Sequence, residues 1–333
     1  GGSIGFGEFM QHSLYAPGLG YYAAGSTKFG RDGDFITAPE VSPVFGHVVA
    51  RQCAEVLAEL GEGGLLEFGA GSGKLAADVL ERLDTLGALP SEYNILEVSA
   101  DLRQRQEAFL ADRIPELVHL VSWVDAMPVG HRGVILANEV IDAFPVERFV
   151  RREQGVMQQR VTASEEGFSF AEAPAQDRLE RAVLELEAEL GAAFPDGYVS
   201  EVCLAVPDWI SRIEASLEEG VAFLFDYGVS KREYYAAERS DGWLRCHFRH
   251  HAHNDPLILP GIQDLTAWVD FTRVAEAAVT AGLEIAGYSA QAQFLMAGGL
   301  EAEMQGFASL PLEAQLELSQ QIKTLTLPGE DRK

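Results

Sequence analysis

The sequence predicts an α/β fold in which helices cover both faces of a parallel sheet. Short apolar segments of strand length alternate with amphipathic segments of about ten or more residues between residues 64 and 145. A glycine-rich turn joins the first of these strands to the next helix, and polar residues directly follow the other strands. Strands that alternate with helices of this length usually pair in parallel, because each helix returns the chain to the same end of the sheet.

The individual elements follow from the spacing of apolar residues, which is helical where they recur every three or four positions and strand-like in short runs. Helices are predicted at 43–60, 74–86, 101–111, 176–190, 207–217, 271–281, 291–300 and 311–325. Strands are predicted at 65–68, 93–98, 117–121, 133–137, 146–151, 157–161, 167–170, 198–204, 221–225 and 283–288. Ser99 is a candidate N-cap for the helix at 101–111.

Changes in pattern predict the domain organisation. Residues 1–43 are rich in glycine and aromatic residues and are interpreted as an ordered, loop-rich N-terminal arm. Residues 44–145 and 206–333 carry the α/β pattern and form the predicted core. Residues 146–205 interrupt it with short antiparallel strands and one helix, and are interpreted as an α+β insertion that could bind substrate.

Composition narrows the class of protein. The 333 residues are 47% hydrophobic and 23% charged, which is ordinary globular usage and excludes disorder of the whole chain. No apolar run approaches the ~18 residues of a membrane-spanning helix, so membrane insertion is not expected. The three cysteines are widely spaced and form no disulfide framework, which fits a reducing compartment. Residues 1–3 do not read as a signal peptide, so a cytoplasmic location is expected.

The charge balance points to a basic partner. Lys and Arg number 25 against 51 Asp and Glu, giving a formal net charge of −26. Such a surface repels nucleic acid and anionic lipid, and it favours a cationic substrate or a basic protein. Solubility alone is the competing explanation.

The glycine turn at 67–73 is the strongest motif. It fits neither GxxxxGK[ST] of a phosphate-binding loop nor GxGxxG of a dinucleotide site. Its GxGxG spacing, with Glu67 two residues before the first glycine, matches an S-adenosylmethionine turn. Glu67 would then lie near the amino-acid part of the cofactor, with Gly69, Gly71 and Gly73 beneath it. A glycine-rich connection without a ligand is the alternative.

Two further positions could complete a cofactor site. Glu97 ends the second strand, where a carboxylate can accept both ribose hydroxyls, and Val98 lies beside it. Asp125 and Ala126 follow the third strand; Asp125 could accept from an adenine amino group, and Trp123 or Met127 could line the ring. The alternatives are an exposed strand-end acid for Glu97 and a local turn cap for Asp125.

The run 138–145 is the candidate catalytic segment, because polar residues after a parallel strand lie where ligands bind. Asn138 is assigned to the cofactor. Glu139 and Asp142, with Asp226 as a third group, could orient a guanidinium for in-line methyl transfer, since carboxylates pair with it bidentately. A nitrogen on a nucleic-acid base is the other acceptor that such a segment could serve.

A histidine cluster lies within 247–253, which holds four of the eight histidines. Its spacing matches no closed zinc site, so no metal is predicted. We interpret it as a polar loop over the substrate pocket or a hydrogen-bonded turn, with Arg249 as a candidate partner for a carboxylate.

The chain resembles the mitochondrial dysfunction protein A family of methyltransferases in runs spread across nearly its whole length. These runs are 14–22, 33–42, 67–73, 138–145 and 263–271. The resemblance implies a seven-stranded Rossmann-like fold, S-adenosyl-L-methionine as methyl donor, and arginine on a protein as acceptor, with symmetric dimethylation. The eukaryotic family member assists assembly of respiratory complex I, so a complex I subunit is one candidate substrate.

The resemblance also implies that part of the arm covers the cofactor or substrate. The residues assigned to this cover are Asp34, Thr37, Pro39, Glu40, Ser42, His247 and Arg249. The family usually has His where this chain has Trp268, so a proton-handling role at that position is not carried over. A small-molecule or nucleic-acid methyltransferase, or an assembly chaperone that binds the cofactor without catalysis, remain alternatives, and the oligomeric state is left open.

Overall fold

A computed structural model describes residues 2–23, 37–249 and 251–327. The strands are β1 (Ser3–Gly5), β2 (Gly64–Phe68), β3 (Tyr93–Leu96), β4 (Val121–Val124), β5 (His131–Asn138), β6 (Glu147–Arg152), β7 (Gly155–Ser164), β8 (Gly167–Pro174), β9 (Val199–Val202), β10 (Leu217–Phe225), β11 (Gly228–Val229), β12 (Leu244–Phe248), β13 (His251–His253), β14 (Asp264–Ala267) and β15 (Val269–Asp270). The helices are α1 (Phe6–Tyr15), α2 (Ala38–Val41), α3 (Pro43–Leu60), α4 (Lys74–Leu86), α5 (Ala100–Arg113), α6 (Asp177–Leu190), α7 (Val206–Ser216), α8 (Lys231–Tyr234), α9 (Phe271–Ala281), α10 (Gln291–Ala297), α11 (Leu300–Glu303) and α12 (Leu312–Thr326).

The chain divides into two compact units. The first, called here the parallel unit, comprises the described residues of 37–138, Ala215–Phe225 and 285–327. Its sheet has the order β10-β5-β2-β3-β4, and every pairing in it is parallel. This confirms the α/β expectation. The described part of the sheet has five strands, where the family resemblance implies seven.

Helix boundaries in the parallel unit follow from local sequence. Ser42 accepts a hydrogen bond from the Val44 backbone amide (3.4 Å) and begins α3, which ends at Gly61. Ser99 caps α5 in the same way by accepting from Leu102. These caps satisfy amides that a helix leaves without intrahelical partners. The predicted limits of α3 and α4 and the predicted Ser99 cap are confirmed.

Near the beginnings of β2, β5 and β10, three neighbouring backbones approach so closely that only glycine fits. Gly133 of β5 pairs with Gly64 of β2 on one side and Gly220 of β10 on the other. A Cβ added to Gly133 would lie 1.9 Å from the Gly64 carbonyl oxygen, and one added to Gly220 would lie 1.8 Å from the Gly133 oxygen. Any side chain at either position would therefore force these strands apart.

The second unit, called the antiparallel unit, comprises residues 2–23, Glu139–Glu214 and Asp226–Glu284. Its main sheet has the order β1-β7-β6-β9, with β8 on the other side of β7, and all these pairings are antiparallel. Helix α6 buries Leu179, Val183 and Leu186 in a core shared with Phe149 and Tyr198. The antiparallel strands and the helix predicted within 146–205 are confirmed.

Several predicted elements differ from the structure. The first described residues are not loop: β1 pairs with β7, and α1 follows it. The third predicted strand, 117–121, is wrong, because Val118–Leu120 form a 3₁₀ helix and β4 begins at Val121. A short apolar run satisfies either conformation.

Two other regions also depart from expectation. The stretch 228–265, expected as loop, contains β12, β13 and β14, which pair in a small antiparallel sheet. Residues 283–288, predicted as a strand, pair with no strand among the described residues. Alternating apolar residues there lack the partner that would make them a strand. Within the described ranges, no helix is both long and apolar enough to cross a membrane.

Candidate functional site

The glycine turn between β2 and α4 has a backbone that only glycine adopts readily. Gly69, Gly71 and Gly73 have φ values of 58°, 56° and 86°, all in the left-handed region. A Cβ on Gly73 would also lie 3.3 Å from the Phe109 ring. The three glycines chosen from sequence are therefore required by the shape of the turn, which brings backbone close to any ligand seated on it.

Glu67 lies at the base of this turn and is 2% exposed. The Tyr93 hydroxyl donates to its Oε2 at 2.7 Å. Burial raises the pKa of Glu67 to about 7; the Tyr93 hydrogen bond opposes the shift and the neighbouring Glu97 carboxylate adds to it. The side chain of Glu67 is thus held by Tyr93 of the neighbouring strand β3, and contact with the cofactor remains a prediction.

Glu97 is the centre of a buried hydrogen-bond network. Its Oε1 accepts from the Ser99 backbone amide at 2.9 Å, and its Oε2 accepts from Gln106 Nε2 at 3.0 Å. Gln106 also donates to the Gly71 carbonyl oxygen at 3.0 Å, and its Oε1 accepts from Trp123 Nε1 at 2.9 Å. The glycine turn, the Glu97 carboxylate and Trp123 are therefore joined through one side chain that sequence reasoning missed.

The other predicted cofactor residues are more exposed. Val98 is 76% exposed beside Glu97, an apolar surface of the kind that a bound ligand covers. Asp125 lies at the surface with Ala126, and the Arg103 guanidinium donates to its carboxylate at 3.1 Å. Asn138 ends β5 opposite Phe225. Contact of these residues with the cofactor stays a prediction.

Some of the residues predicted to form the cover lie beside the glycine turn, and their role as a cover stays a prediction. Glu40, on α2, accepts hydrogen bonds from the Ser72 hydroxyl of the glycine turn and from Lys74 Nζ at 2.6 Å. It thereby ties α2 to the turn. Thr37 and Pro39 flank this contact at the start of α2, whereas the Ser42 hydroxyl is engaged as the cap of α3. Asp34 lies outside the described residues.

In the antiparallel unit, Asp226 organises the predicted catalytic segment. Its Oδ2 accepts from the backbone amides of Ile141 (2.9 Å) and Asp142 (3.2 Å). Its Oδ1 accepts from the backbone amide of Tyr227 (2.8 Å). Burial raises the pKa of Asp226 to about 7, against the effect of these amides, which favour the ionised form. Asp226 therefore holds the 141–142 turn in place as well as carrying charge.

Glu139 adopts a strained backbone conformation with φ of 52°. Arg249, another predicted site residue, has φ of 49°, and these two are the non-glycine residues with positive φ in the described chain. Such conformations are costly, and they cluster at functional sites. The Tyr227 hydroxyl donates to Glu139 Oε1 at 3.1 Å, so the side chain is also positioned by a neighbour.

Asp142 is buried among other carboxyl groups. Its pKa is raised well above the ordinary value by burial first, and then by the carboxylates of Asp226, Glu139 and Asp264. Asp264 is 1% exposed and accepts from the Tyr22 hydroxyl at 3.1 Å. The four carboxyl groups define what we call the acidic cluster.

Tyr22 and Asp264 lie in the runs 14–22 and 263–271 that resemble the family, but the sequence predicted no role for either residue. Their contact joins residues 242 positions apart, so no local spacing could have indicated it. Two hydrogen bonds to backbone carbonyl groups also hold this region. The Tyr15 hydroxyl donates to the Ala143 carbonyl at 2.9 Å, and the Ala267 backbone amide donates to the Asp142 carbonyl at 2.9 Å.

Three of the clustered histidines, His247, His251 and His253, lie on paired strands, where a polar loop or a hydrogen-bonded turn was expected. Strands β12 and β13 pair His247 with Ala252, and β14 places Asp264 opposite His247. The Arg249 guanidinium lies over the Phe248 ring, 5.1 Å from its centroid. In the described ranges, which omit residue 250, no group of three His, Cys, Asp or Glu side chains is placed to hold a metal ion.

Comparisons with known proteins identify the family of this chain. A family model described as "Putative S-adenosyl-L-methionine-dependent methyltransferase" matches residues 48–289. A crystal structure of a Burkholderia thailandensis protein bound to S-adenosyl-homocysteine is 38% identical, covers 97% of this chain and 84% of that one, and has a TM-score of 0.89. The mitochondrial protein arginine methyltransferase NDUFAF7 homolog of Drosophila melanogaster is 29% identical over 93% of this chain and 73% of its own length. The corresponding Danio rerio protein is 28% identical over 91% and 75%.

The residues of the parallel unit fit the cofactor that these matches indicate, S-adenosyl-L-methionine. The left-handed glycines allow close approach of a ligand, and the oriented Glu97 carboxylate suits a pair of hydroxyl donors. The acidic cluster of the antiparallel unit suits a cation instead.

Proposed function

The chain belongs to this family of S-adenosyl-L-methionine-dependent methyltransferases, and from that premise we propose that it methylates arginine on a protein substrate. The observation that carries the proposal is the acidic cluster, in which burial first, and then three neighbouring carboxylates, raise the pKa of Asp142. The names of the fly and fish relatives support the same acceptor, although they are only 29% and 28% identical.

A guanidinium fits the acidic cluster chemically. It is planar, keeps its charge at any pH a protein meets, and presents five N–H donors in a fork that carboxylates accept in pairs. Its charge would offset the repulsion among the carboxylates, so acceptor binding and ionisation of the cluster would reinforce each other. A neutral acceptor would leave that repulsion in place.

The bound cofactor supplies a methyl group on a positively charged sulfur. In the proposed step, an arginine Nη forms a bond to the methyl carbon while the carbon–sulfur bond breaks and its electrons remain on sulfur. The acidic cluster would hold the guanidinium in one orientation, as an in-line displacement requires. One proton leaves the methylated nitrogen, and Asp142, whose raised pKa makes it a good acceptor, is assigned to receive it.

The residues divide this work. Asp226 acts through the backbone by holding the 141–142 turn, while Glu139 and Asp142 contact the guanidinium. The strained backbone of Glu139 and its bond from Tyr227 fix the direction of that carboxylate. Orientation is worth a large part of the rate in such displacements, because no covalent intermediate is needed.

A labelling screen tests the proposed acceptor. Cell extract depleted of endogenous cofactor is incubated with the protein and cofactor carrying a radioactive methyl group, with Glu139→Gln as the matched control. Label that appears in protein, is recovered as methylated arginine after hydrolysis and depends on Glu139 supports the proposal. Label in small molecules or nucleic acid would contradict the acceptor, and no label anywhere would favour a non-catalytic assembly role.

A further inference from the structure

Gln106 is an unusual residue for its place in the fold. It lies on α5, is 0% exposed, and carries a side-chain amide among apolar neighbours such as Leu102 and Leu110. Burying an amide is unfavourable unless its donors and acceptor are satisfied. Here both donors and the acceptor have partners, at 2.9–3.0 Å.

Those partners permit only one orientation of the amide. Nε2 faces two acceptors, the Gly71 carbonyl and the Glu97 carboxylate, and Oε1 faces a donor, the Trp123 indole N–H. A rotated amide would place oxygen against both acceptors and N–H against N–H. The side chain is therefore locked, and it transmits that fixed direction to Glu97.

We propose that Gln106 is a positioning residue that makes the cofactor site selective for ribose by fixing the plane of the Glu97 carboxylate. The proposal rests on the assignment of Glu97 to the ribose hydroxyls. With Ser99 donating to one carboxylate oxygen and Gln106 to the other, the group cannot rotate. A carboxylate has about four acceptor sites, and a carboxylate held in a fixed plane presents them in directions that suit a pair of vicinal hydroxyls.

The same side chain couples the ribose position to two other parts of the site. Its bond to Gly71 holds the glycine turn, and its bond from Trp123 holds an aromatic ring on β4. Loss of the amide should therefore weaken binding in general and remove the preference for the ribose hydroxyls in particular. Only the second effect separates positioning of Glu97 from a purely structural role.

Calorimetric titration of the full chain with S-adenosyl-homocysteine and with its 3′-deoxy analogue measures that preference. We expect wild type to bind the deoxy analogue about tenfold or more weakly, because a hydrogen bond to a charged group is lost. Gln106→Met is nearly isosteric, and we expect its discrimination between the two ligands to fall below about threefold. Trp123→Phe retains the Gln106–Glu97 bond but releases one anchor, and we expect an intermediate value.

Gln158→Met is the matched control, because it removes a buried amide-to-carboxylate bond (2.8 Å, to Glu147) in the antiparallel unit. Its discrimination should equal that of wild type. If Gln106→Met weakens both ligands by the same factor, the inference is overturned while the role of Glu97 stands. If wild type binds both ligands equally, the ribose assignment fails and the inference falls with it. Thermal denaturation of each variant confirms that it is folded.

Discussion

In the parallel unit, three carboxylates around the glycine turn accept hydrogen bonds from defined donors. Glu67 accepts from a tyrosine hydroxyl, Glu97 from a backbone amide and a glutamine, and Glu40 from Lys74. In the antiparallel unit, the carboxylates of Asp226, Glu139 and Asp264 add to the raised pKa of Asp142, and backbone amides and tyrosine hydroxyls are among the donors to the acidic cluster.

This difference indicates what each unit binds. In the parallel unit, the donors orient each carboxylate for a ligand that brings neutral hydroxyl groups. Such a ligand need not compensate much negative charge. Carboxylates that raise the pKa of a buried neighbour repel it, burial makes that repulsion larger, and a cationic ligand would relieve it. We therefore expect the parallel unit to bind the cofactor and the antiparallel unit to bind a basic acceptor.

The largest expected effect comes from removing the residue that organises the acidic cluster. Asp226→Asn places an amide NH₂ against backbone N–H groups that now donate to a carboxylate. We expect methyl transfer to fall at least 100-fold, about 2.7 kcal/mol of barrier, with a lower melting temperature. Asp255→Asn alters an exposed aspartate that also accepts from a backbone amide and should leave the rate unchanged. A rate for Asp226→Asn within threefold of wild type would contradict the assignment.

The pKa of Asp226 gives the same prediction a pH dependence. The folded-state pKa of about 7 exceeds the ordinary 3.8, so the folded chain holds more protons between these pH values. The contribution of this group to the free energy of unfolding therefore falls as pH rises through that window. The ionised form of Asp226 is the better acceptor for the backbone amides that hold the 141–142 turn, so the rate should rise with pH through about 7, and measured pH–rate profiles should lose this step in Asp226→Asn.

Glu139→Gln tests whether the charge of the acidic cluster, rather than its shape, is needed. The amide can still accept from Tyr227 but cannot balance a guanidinium. We expect at least a tenfold loss of methyl transfer, about 1.4 kcal/mol, with unchanged affinity for S-adenosyl-homocysteine by calorimetry. Tyr227→Phe removes only the hydrogen bond and should have a smaller effect. Unchanged turnover in Glu139→Gln would remove this residue from the mechanism.

Glu97→Ala is the corresponding change in the parallel unit. We expect at least tenfold weaker binding of S-adenosyl-homocysteine, since hydrogen bonds to a charged group are lost. The rate at saturating cofactor should change much less than in Glu139→Gln, which would separate the two units functionally. Glu107→Ala, on the exposed face of the same helix as Gln106, is the control. Equal affinity of wild type and Glu97→Ala would exclude the ribose role.

The smallest effect is expected from Tyr22→Phe. This change removes one donor to Asp264 while keeping the ring, so the negative charge near Asp142 is less well stabilised. We expect the KM for the protein acceptor to rise about threefold, in keeping with one modest hydrogen bond, with kcat nearly unchanged. Tyr235→Phe removes another buried tyrosine hydroxyl, bound to the Glu201 carbonyl, and serves as control. An equal rise in KM in both variants would indicate a general loss of stability and not a role for the bond between Tyr22 and Asp264.

The sequence predicted the parts of the fold that local physics determines. Helix α9 has its predicted limits because apolar residues recur at helical spacing between Asp270, which caps it, and Gly282, which ends it in the left-handed conformation. The glycine turn is determined equally locally, since its backbone excludes other residues. In contrast, β4 was misplaced because a short apolar run does not distinguish a strand from a 3₁₀ turn.

The candidate site was predictable only as far as motifs reach. Glu139, Asp142 and Asp226 were identified because they follow strands, and the structure joins Asp226 to the turn at 141–142. Gln106 and Asp264 were missed because their roles arise from partners distant in sequence, such as Gly71, 35 residues away. In one sequence, a buried glutamine on a helix looks like any surface glutamine.

The discontinuous make-up of the two units has a consequence for biosynthesis. Strands β2 to β5 and helices α3 to α5 lie in one continuous stretch, so most of the parallel unit can fold as it leaves the ribosome. In the antiparallel unit, Ile4 pairs with Val161, and the Tyr22 hydroxyl can donate to Asp264 only after that distant residue has been synthesised. Such long-range contacts form slowly, because the intervening chain must first be ordered. The cofactor half should therefore form early during translation, and the acceptor half should close only when nearly the whole chain has been made.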